Sequence, residues 1–360
     1  MDMISAAKPF IGAEERAAVD RVLASGMLAQ GPEVAAFEQE FSAVVGGREC
    51  VAVNSGTSAL HMAFVAAGIG AGDEVIVPSF SFAATANAVA LAGATPVFAD
   101  IEGDYFNLDP AAAESKITSR TRAIMPVHLY GHPADMPGFK DVADRHDLLI
   151  FEDAAQAHAA SLNGTAVGAF GIAASFSFYP TKNMTSGEGG MVSTGSADVA
   201  RMVRLLRNQG MEKRYENEVV GFNTRMTDIH AAIGRVQLGH LAEWTAARQA
   251  NGAFFDANLE GVVVPPVASG AVHVYHQYTI RVENGDRDAF VTALADRGVG
   301  SGVYYPTPIH RLPSFQQDLD LPVTERVCGE VVSLPVYPSL TQAEREQIVE
   351  AVNAVAKAGA

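Results

Sequence analysis

Short apolar runs alternate with helix-sized intervals over the first half of the chain. Each run is four or five residues long and predicts a strand, and an interval long enough for a helix follows each of the first four. This alternation indicates crossover connections and a mostly parallel sheet with helices on both faces. The predicted strands occupy residues 50–53, 74–77, 95–99, 123–127 and 148–151.

The alternation weakens after Ala173. The later pattern predicts two short strands, a long helix and, beyond a glycine- and proline-rich connection, a final strand with two helices. We therefore predict an α/β fold, with a three-layer large domain at residues 1–240 and a linking helix plus a smaller α+β domain at residues 241–360. These later elements are predicted at 175–178, 191–194, 227–255, 275–282, 287–297 and from 343 onward.

Composition narrows the class of protein. The 360 residues carry 25 Lys and Arg against 41 Asp and Glu, a formal charge of −16, which disfavours binding to nucleic acid. The longest uncharged stretch, 75–99, contains prolines, a glycine and an asparagine that argue against a membrane span. The opening residues lack the pattern of a signal peptide, and Cys50 and Cys328 do not have the spacing of a metal-binding motif. We expect a cytoplasmic protein with no metal site and no membrane or nucleic-acid partner.

The segment VNSGTSAL, 53–60, joins a predicted strand to a predicted helix. The backbone N–H groups of Gly56, Thr57 and Ser58 would lie at the helix N-terminus, where free donors and the helix dipole favour a phosphate. An ordinary helix capped by Ser55 or Thr57 is the alternative interpretation.

A second segment, IFEDAAQAH at 150–158, ends an apolar strand at Asp153. A buried carboxylate at this point needs a cation or hydrogen-bond donor, and a protonated ring nitrogen would serve because each charge keeps the other ionised. The alternative is that Asp153 caps the following helix. His158 is interpreted as a structural histidine.

A third segment, SFSFYPTKN at 175–183, delivers Lys182 from an aromatic strand into a tight loop. Burial lowers the pKa of an amine and makes it a Schiff-base nucleophile, whereas the alternative is a solvated surface lysine. A phosphate cradle, an acid for a ring nitrogen and a lysine for an aldehyde are together the groups that bind pyridoxal phosphate. Phe82, at the start of a predicted helix, is well placed to stack on the ring.

The chain resembles the DegT-type (DegT/StrS) sugar aminotransferases, a fold-type I pyridoxal-phosphate family that acts on keto-sugars. The resemblance extends from about Lys8 to about Val355 and includes many sequence blocks in the same order. Chance does not explain so many matching blocks. Those blocks include LAQGP, VNSGTSALHMA, GDEVIVPSFSFAATANAV, MPVHLYGHPADM, EDAAQAH, FSFYPTKN, GEGG, GFNTRMTDIHAAIGRVQL, VYHQYTIRV and YYPTPIHRLPSF.

The resemblance implies a role for individual residues. Lys182 would hold the cofactor as an internal aldimine and move the proton, Asp153 would pair with the pyridinium nitrogen, and Gln156 would face the phenolic oxygen. Glutamate or glutamine would donate the amine, with pyridoxamine phosphate as the intermediate. Phosphate contacts would come from Gly56, Thr57, Ser58 and Ser177, and from Asn223 of the neighbour in a homodimer with shared sites.

The resemblance identifies the substrate less precisely than the cofactor. Glu188, in TSGEGGM, resembles the C4 enzymes, so a nucleotide-linked 4-keto-6-deoxysugar is expected. An inosose or 3-keto-sugar aminotransferase, or a catalytically silent regulatory or scaffold relative, stays open as an alternative. Residues expected near the mouth of the site are Tyr305, His310 and Arg311, which could meet a nucleotide diphosphate or could be packing and surface residues. Arg225, a further candidate substrate contact, is expected to reach into the neighbour's pocket beside Asn223.

Overall fold

The computed structural model of the protein describes residues 3–283 and 285–359. Its strands are β1 (Glu49–Val53), β2 (Glu74–Pro78), β3 (Thr95–Ala99), β4 (Thr121–Ile124), β5 (Leu149–Asp153), β6 (Ser161–Leu162), β7 (Thr165–Ala166), β8 (Ala173–Ser177), β9 (Gly190–Thr194), β10 (Met211–Lys213), β11 (Glu216–Asn217), β12 (Ala271–Val272), β13 (Tyr278–Arg281) and β14 (Val331–Leu334).

Helices form the larger part of the regular secondary structure. They are α1 (Ala13–Ser25), α2 (Pro32–Ser42), α3 (Gly56–Ala66), α4 (Ala84–Leu91), α5 (Pro110–Glu114), α6 (Met136–His146), α7 (Ala197–Arg207), α8 (Asp228–Asn258), α9 (Arg287–Asp296), α10 (Pro322–Glu330) and α11 (Gln342–Ala358). None of these helices, within the described ranges, is long and apolar enough to cross a membrane.

The main sheet has seven strands in the order β1-β9-β8-β5-β4-β2-β3. All neighbouring pairs are parallel except those of β9, which runs antiparallel to both β1 and β8. The connection from β8 to β9, residues 178–189, contains no helix that could cross over the sheet, and the chain turns back directly. The mostly parallel sheet is therefore confirmed, and its antiparallel member follows the loop that carries Lys182.

Helices cover both faces of this sheet. Side chains of β9 alternate between two apolar clusters: Val192 packs with α3, α4 and α7, and Met191 packs with α2 and α8. Because both faces are covered, β2, β8 and β9 are buried along their whole length, which explains their nearly continuous small and apolar sequences.

A smaller unit forms around the antiparallel pair β13 and β14, which α9 and α10 separate in the chain, with α9 and α11 packed on the pair. The 31-residue helix α8 connects the two units, and the predicted division between residues 240 and 241 lies inside it. Ile4, which the sequence analysis assigned to the large domain, packs in the core of the smaller unit and forms a bridge with Val299.

Some elements differ from the sequence analysis. The strand predicted at 123–127 begins and ends earlier, at Thr121–Ile124, and the one predicted at 175–178 is β8. Both α10 and β14 were missed, as was the small sheet of β12, β6 and β7. These strands are two to four residues long, and β12 and β14 pair with segments far apart in the chain, so no local pattern marks those two. In contrast, β6 and β7 are joined by Asn163 and Gly164, a local hairpin signal that the sequence analysis overlooked.

A buried ion pair fixes β1 against the helices. Arg207, at the end of α7 and 4% exposed, donates from Nη1 to the Glu38 carboxylate of α2 and to the Ala52 carbonyl oxygen, 2.6 Å away. Glu38 Oε1 also accepts from the Ala52 N–H at 2.8 Å. The arrangement therefore joins α2, α7 and β1 just before the chain enters the loop at Gly56.

Replacing Glu38 should destabilise the protein strongly. We expect Glu38→Ala to lower the free energy of unfolding by about 3–5 kcal/mol, because the Arg207 guanidinium would remain buried without its partner. Glu49→Ala is the matched control: it removes the partner of Arg204, another arginine of α7, from an exposed pair and should cost less than about 1 kcal/mol. Urea denaturation measures both, and equal losses would contradict the prediction.

Candidate active site

A cavity of about 580 Å³ opens at the carboxyl ends of the parallel strands. Its lining comes from the loops that follow β1, β2, β4, β5 and β8, the edge at which ligands bind in open α/β sheets. The predicted residues found there are Gly56, Thr57, Phe82, Asp153, Gln156, Ser177, Lys182, Glu188 and Tyr305.

The loop after β1 leads into the N-terminus of α3. Ser55 caps the helix, its Oγ accepting from the Ser58 N–H at 3.1 Å, so the helix has the cap that the alternative interpretation gave it, while the phosphate contacts stay a prediction. A Cβ on Gly56 would lie 2.8 Å from Ser177 Cβ, so only glycine permits this close approach. The two N–H groups at the helix start and Ser177 therefore line one corner of the cavity.

The position of Ser58 does not match the prediction that this residue contacts a phosphate. Its hydroxyl donates to Asn54 Oδ1 at 2.7 Å, its N–H is used by the cap, and the residue lies outside the lining of the cavity. Ser58 is one position further into α3 than Thr57 and therefore faces the cap.

Two adjacent carboxylates of β5 face opposite sides of the sheet. Glu152, fully buried, accepts from the N–H groups of Gly168, Phe170 and Gly171 at 2.8–2.9 Å and from His128 Nε2 at 3.1 Å. Burial alone would raise its pKa, but these hydrogen bonds hold the pKa below its usual value. The sequence analysis gave Glu152 no role. The signal that could have identified it is its position as a second acidic residue next to Asp153 in an apolar strand.

Asp153 points into the cavity with fewer partners. Its Oδ2 accepts from Thr85 Oγ1 at 2.8 Å and its Oδ1 from the Ala155 N–H at 3.2 Å. Burial raises the pKa of Asp153 despite these bonds and the nearby Lys182 charge. A protonated nitrogen placed here would favour the ionised carboxylate.

Lys182 lies in the loop between β8 and β9, which is tied down on both sides of it. The Asn183 side chain donates to the Val274 carbonyl oxygen at 2.9 Å, and Thr185 Oγ1 donates to the Phe178 carbonyl oxygen at 2.8 Å. Burial lowers the pKa of the Lys182 amine to about 8, and Asp153 opposes that shift. About a tenth of the amine is therefore neutral and nucleophilic at pH 7, far more than for a solvated lysine with a pKa of about 10.4.

Gln156 is held by hydrogen bonds at both ends of its amide. Its Oε1 accepts from the Tyr130 N–H at 2.7 Å, and its Nε2 donates to the Tyr305 hydroxyl at 3.1 Å. The Tyr305 ring is 6.0 Å from that of Phe82, which is 59% exposed at the opening of the cavity. Burial raises the pKa of the Tyr305 hydroxyl, so it stays a neutral hydrogen-bonding group.

His310 does not lie in the cavity, contrary to prediction. The short 3-10 turn that carries it turns the ring inward, where it is fully buried, 2.6 Å from Ser79 Oγ through Nδ1 and packed near Phe98. Arg311 is also outside the lining and pairs with Glu325 and Asp318. Both residues therefore have the packing and surface roles that the sequence analysis gave as the alternative.

Asn223 and Arg225 lie outside the cavity of their own chain. Asn223 is exposed and pairs with Asn208 in a backbone bridge, and Arg225 Nη1 donates to Asn208 Oδ1 at 2.9 Å. Neighbouring side chains are also exposed, with Val220 at 91% and Phe222 at 38%. The prediction that this segment reaches a second subunit stays a prediction.

Sequence reasoning missed several residues of the lining. His276 and Gln277 come from the segment VYHQYTIRV of the smaller unit, which was matched to the family but given no role. Tyr130 precedes a sharp turn and has a φ of 56°, and its hydroxyl donates to the Tyr304 carbonyl oxygen. For His276 and Gln277, the available signal was this pair of polar residues within the strand predicted at 275–282.

Solved aminotransferase structures superpose on almost the whole chain, so the protein has the predicted fold of the fold-type I pyridoxal-phosphate enzymes. One is an aminotransferase from Streptoalloteichus hindustanus, TlmJ, with a TM-score of 0.94 and 32% identity over 99% of both chains. A model of the DegT/DnrJ/EryC1/StrS aminotransferase family matches residues 9–353, and the chain belongs to that family.

Relatives include transaminases that form nucleotide-linked amino sugars and proteins that are named for other roles. The chain is 44% identical to the erythromycin biosynthesis sensory transduction protein EryC1 of Saccharopolyspora erythraea, over 94% of this chain and 93% of that one. It is 42% identical to the dTDP-3-amino-3,4,6-trideoxy-α-D-glucose transaminase of Streptomyces venezuelae, over 97% and 94%. The structure of DesV from S. venezuelae in complex with a ketimine intermediate matches with a TM-score of 0.92 and 43% identity over 96% and 95%.

The amine of Lys182 should react with aldehydes at a lower pH than surface lysines. With ligand-free protein, an aldehyde and borohydride, we expect modification of Lys182 to rise through a midpoint near pH 8, whereas an ordinary lysine has a pKa of about 10.4. Asp153→Asn should move the midpoint lower, because Asp153 stabilises the protonated amine. Peptide mass spectrometry measures both, and a midpoint above pH 10 would show that the amine is solvated.

Proposed function

We propose that this protein transfers the amino group of glutamate or glutamine to a nucleotide-linked keto-sugar, with pyridoxal 5′-phosphate as cofactor. The observation that carries the proposal is the single cavity shared by Lys182, with its lowered amine pKa, the buried Asp153 and the N-terminus of α3. The cofactor would alternate between its aldehyde and pyridoxamine forms.

The residues present fit this cofactor. Its phosphate would lie at the N–H groups of Gly56 and Thr57 and the Ser177 hydroxyl, where Gly56 leaves room that a Cβ would fill. Its ring nitrogen would meet Asp153, whose pKa is raised in the absence of a cation. When bound, the cofactor supplies an aldehyde and an electron-accepting ring.

The chain itself supplies the acid–base chemistry. A Lys182 amine with a pKa of about 8 is suited both to accept and to return a proton at the carbon that gains or loses nitrogen. Asp153 would keep the ring nitrogen protonated, and the Gln156 amide, held by Tyr130 and Tyr305, would orient the ring through its oxygen substituent. Phe82 would cover one face of the ring.

The carbon that is aminated distinguishes two candidates. Glu188 is exposed at the cavity, which supports the 4-keto-6-deoxysugar inferred from its loop. The names of several relatives favour the 3-keto-sugar alternative: transaminases that form 3-amino sugars in Streptomyces venezuelae, Micromonospora megalomicea and Aneurinibacillus thermoaerophilus are 38–42% identical. Parallel assays with both keto-sugars, and with an inosose, decide between these candidates.

A regulatory role is a second candidate, supported by names alone. Relatives include EryC1, described as a sensory transduction protein, and a pleiotropic regulatory protein of Geobacillus stearothermophilus, 40% identical. The complete set of Lys182, Asp153 and the α3 N-terminus favours the enzyme.

Removal of the Lys182 amine tests the central assignment. Lys182→Ala should fold normally, because this side chain adds little to the apolar core, and should lose the covalently bound cofactor and transamination. The measurement is an absorbance spectrum with pyridoxal phosphate before and after L-glutamate, with L-glutamine as the second donor. Wild-type protein should show a yellow band that bleaches with the donor. A variant that keeps near wild-type turnover would refute the role of Lys182.

A mixing experiment tests the proposed homodimer with shared sites. Asn223→Asp would place a negative charge beside the neighbour's phosphate, and Lys182→Ala removes the amine, so each homodimer should be nearly inactive. After subunit exchange in an equal mixture, half of the dimers are hybrids with one intact site of two, which gives about a quarter of wild-type activity. If Asn223 served its own chain's site, the mixture would recover nothing.

A further inference from the structure

A second cavity of about 240 Å³ also reaches Lys182. It lies between the N-terminal segment at 8–10, the loop at 180–185, α8 and the residues at 338–339. Lys182 lines both cavities, so the second cavity adjoins the residue to which the proposed cofactor would be attached. The second cavity is smaller than the roughly 300–1,000 Å³ pockets that hold drug-sized ligands.

Arg248 of α8 lines the second cavity without an acidic partner. The residue is 7% exposed, its Nη1 donates to the Tyr275 carbonyl oxygen at 3.1 Å, and its Nε has no partner among the described residues. Burial is the cause that lowers its pKa to about 10, and no carboxylate among residues 3–283 and 285–359 contributes to that shift. The guanidinium is therefore a buried cation at neutral pH.

The neighbouring residue His276 does not balance the positive charge of Arg248. It lines the first cavity and, with Lys182 and Arg248, a small space that adjoins the second. The ring is 6% exposed and its Nδ1 has no partner among the described residues. Burial and the cations Lys182 and Arg248 lower its pKa well below the usual value, so the ring is neutral.

An unpaired buried guanidinium is costly, and its forked N–H groups match a carboxylate. The phosphate of the cofactor has a separate place at α3. The space is too small for a nucleoside diphosphate sugar and suits a small amino acid. We propose that Arg248 binds a carboxylate of the amino donor in this second cavity, next to Lys182. This inference rests on the proposed function, because only a transaminase needs a donor there.

The test separates the two halves of the reaction. Arg248→Met should raise the KM for L-glutamate in the donor half-reaction by at least about 30-fold, since it removes one partner of a buried charge pair. The half-reaction that starts from the amino-sugar should keep its KM. Binding of glutarate, a dicarboxylate with no amine to react, gives a readout independent of turnover: calorimetry should detect it with wild-type protein and not with Arg248→Met.

Three further variants sharpen the outcome. Arg248→Gln keeps a donor for the Tyr275 carbonyl oxygen and replaces Arg248→Met if that protein does not fold. Arg248→Lys should retain part of the glutarate affinity, because the charge remains while the forked geometry is lost. Arg235→Gln, which removes an arginine of α8 paired at the surface with Glu33 and Glu40, should leave the glutamate KM unchanged.

Each result decides between the claims. If wild-type protein transaminates and folded Arg248→Met or Arg248→Gln keeps its glutamate KM and glutarate affinity within twofold, the assignment of Arg248 is wrong and the proposed function stands. If wild-type protein binds glutarate through Arg248 but neither binds pyridoxal phosphate nor transaminates, the carboxylate site stands and the proposed function fails. An increase in both KM values would overturn the assignment to the donor.

Discussion

The rest of the site depends on how β5 holds two carboxylates side by side. Successive residues of a strand face opposite sides, so Glu152 and Asp153 are buried in different surroundings. Glu152 has four hydrogen-bond donors and stays ionised as a structural anchor for the loop at 168–171. Asp153 has two donors and a raised pKa, which leaves it available for a cationic ligand. One strand therefore carries a carboxylate with a full set of hydrogen-bond donors, Glu152, and a carboxylate with an incomplete set, Asp153.

The antiparallel return from β8 to β9 supplies the complementary group. Because this loop turns back without a crossover helix, Lys182 is kept at the strand ends and near Asp153. The same loop is held by two hydrogen bonds, from the Asn183 side chain to the Val274 carbonyl oxygen and from Thr185 Oγ1 to the Phe178 carbonyl oxygen. This double attachment explains how a loop residue can be surrounded by protein and have a lowered pKa.

The two cavities lined by Lys182 differ in the groups that they offer to a ligand. The larger one contains the groups that would hold the proposed cofactor, and it has room for a larger acceptor. The smaller one contains a buried cation and suits a small anion. A single lysine that serves both would act in each half of the cycle, in agreement with the alternation expected of a transaminase.

The sequence by itself determined the α/β class and the main residues of the site. Asp153, Lys182 and Gly56 each follow a recognisable strand, and the carboxyl ends of parallel strands meet at one edge, so local patterns were enough to bring them together. The tertiary structure alone decided the direction of β9, the inward turn of His310 and the place of Ile4 in the smaller unit. It also decided that Arg248 and His276 are buried with polar atoms that have no partner in the described part of the chain, because burial and pairing depend on neighbours far away in the chain. Whether a charge is satisfied is a property of the packed structure and has no local signature.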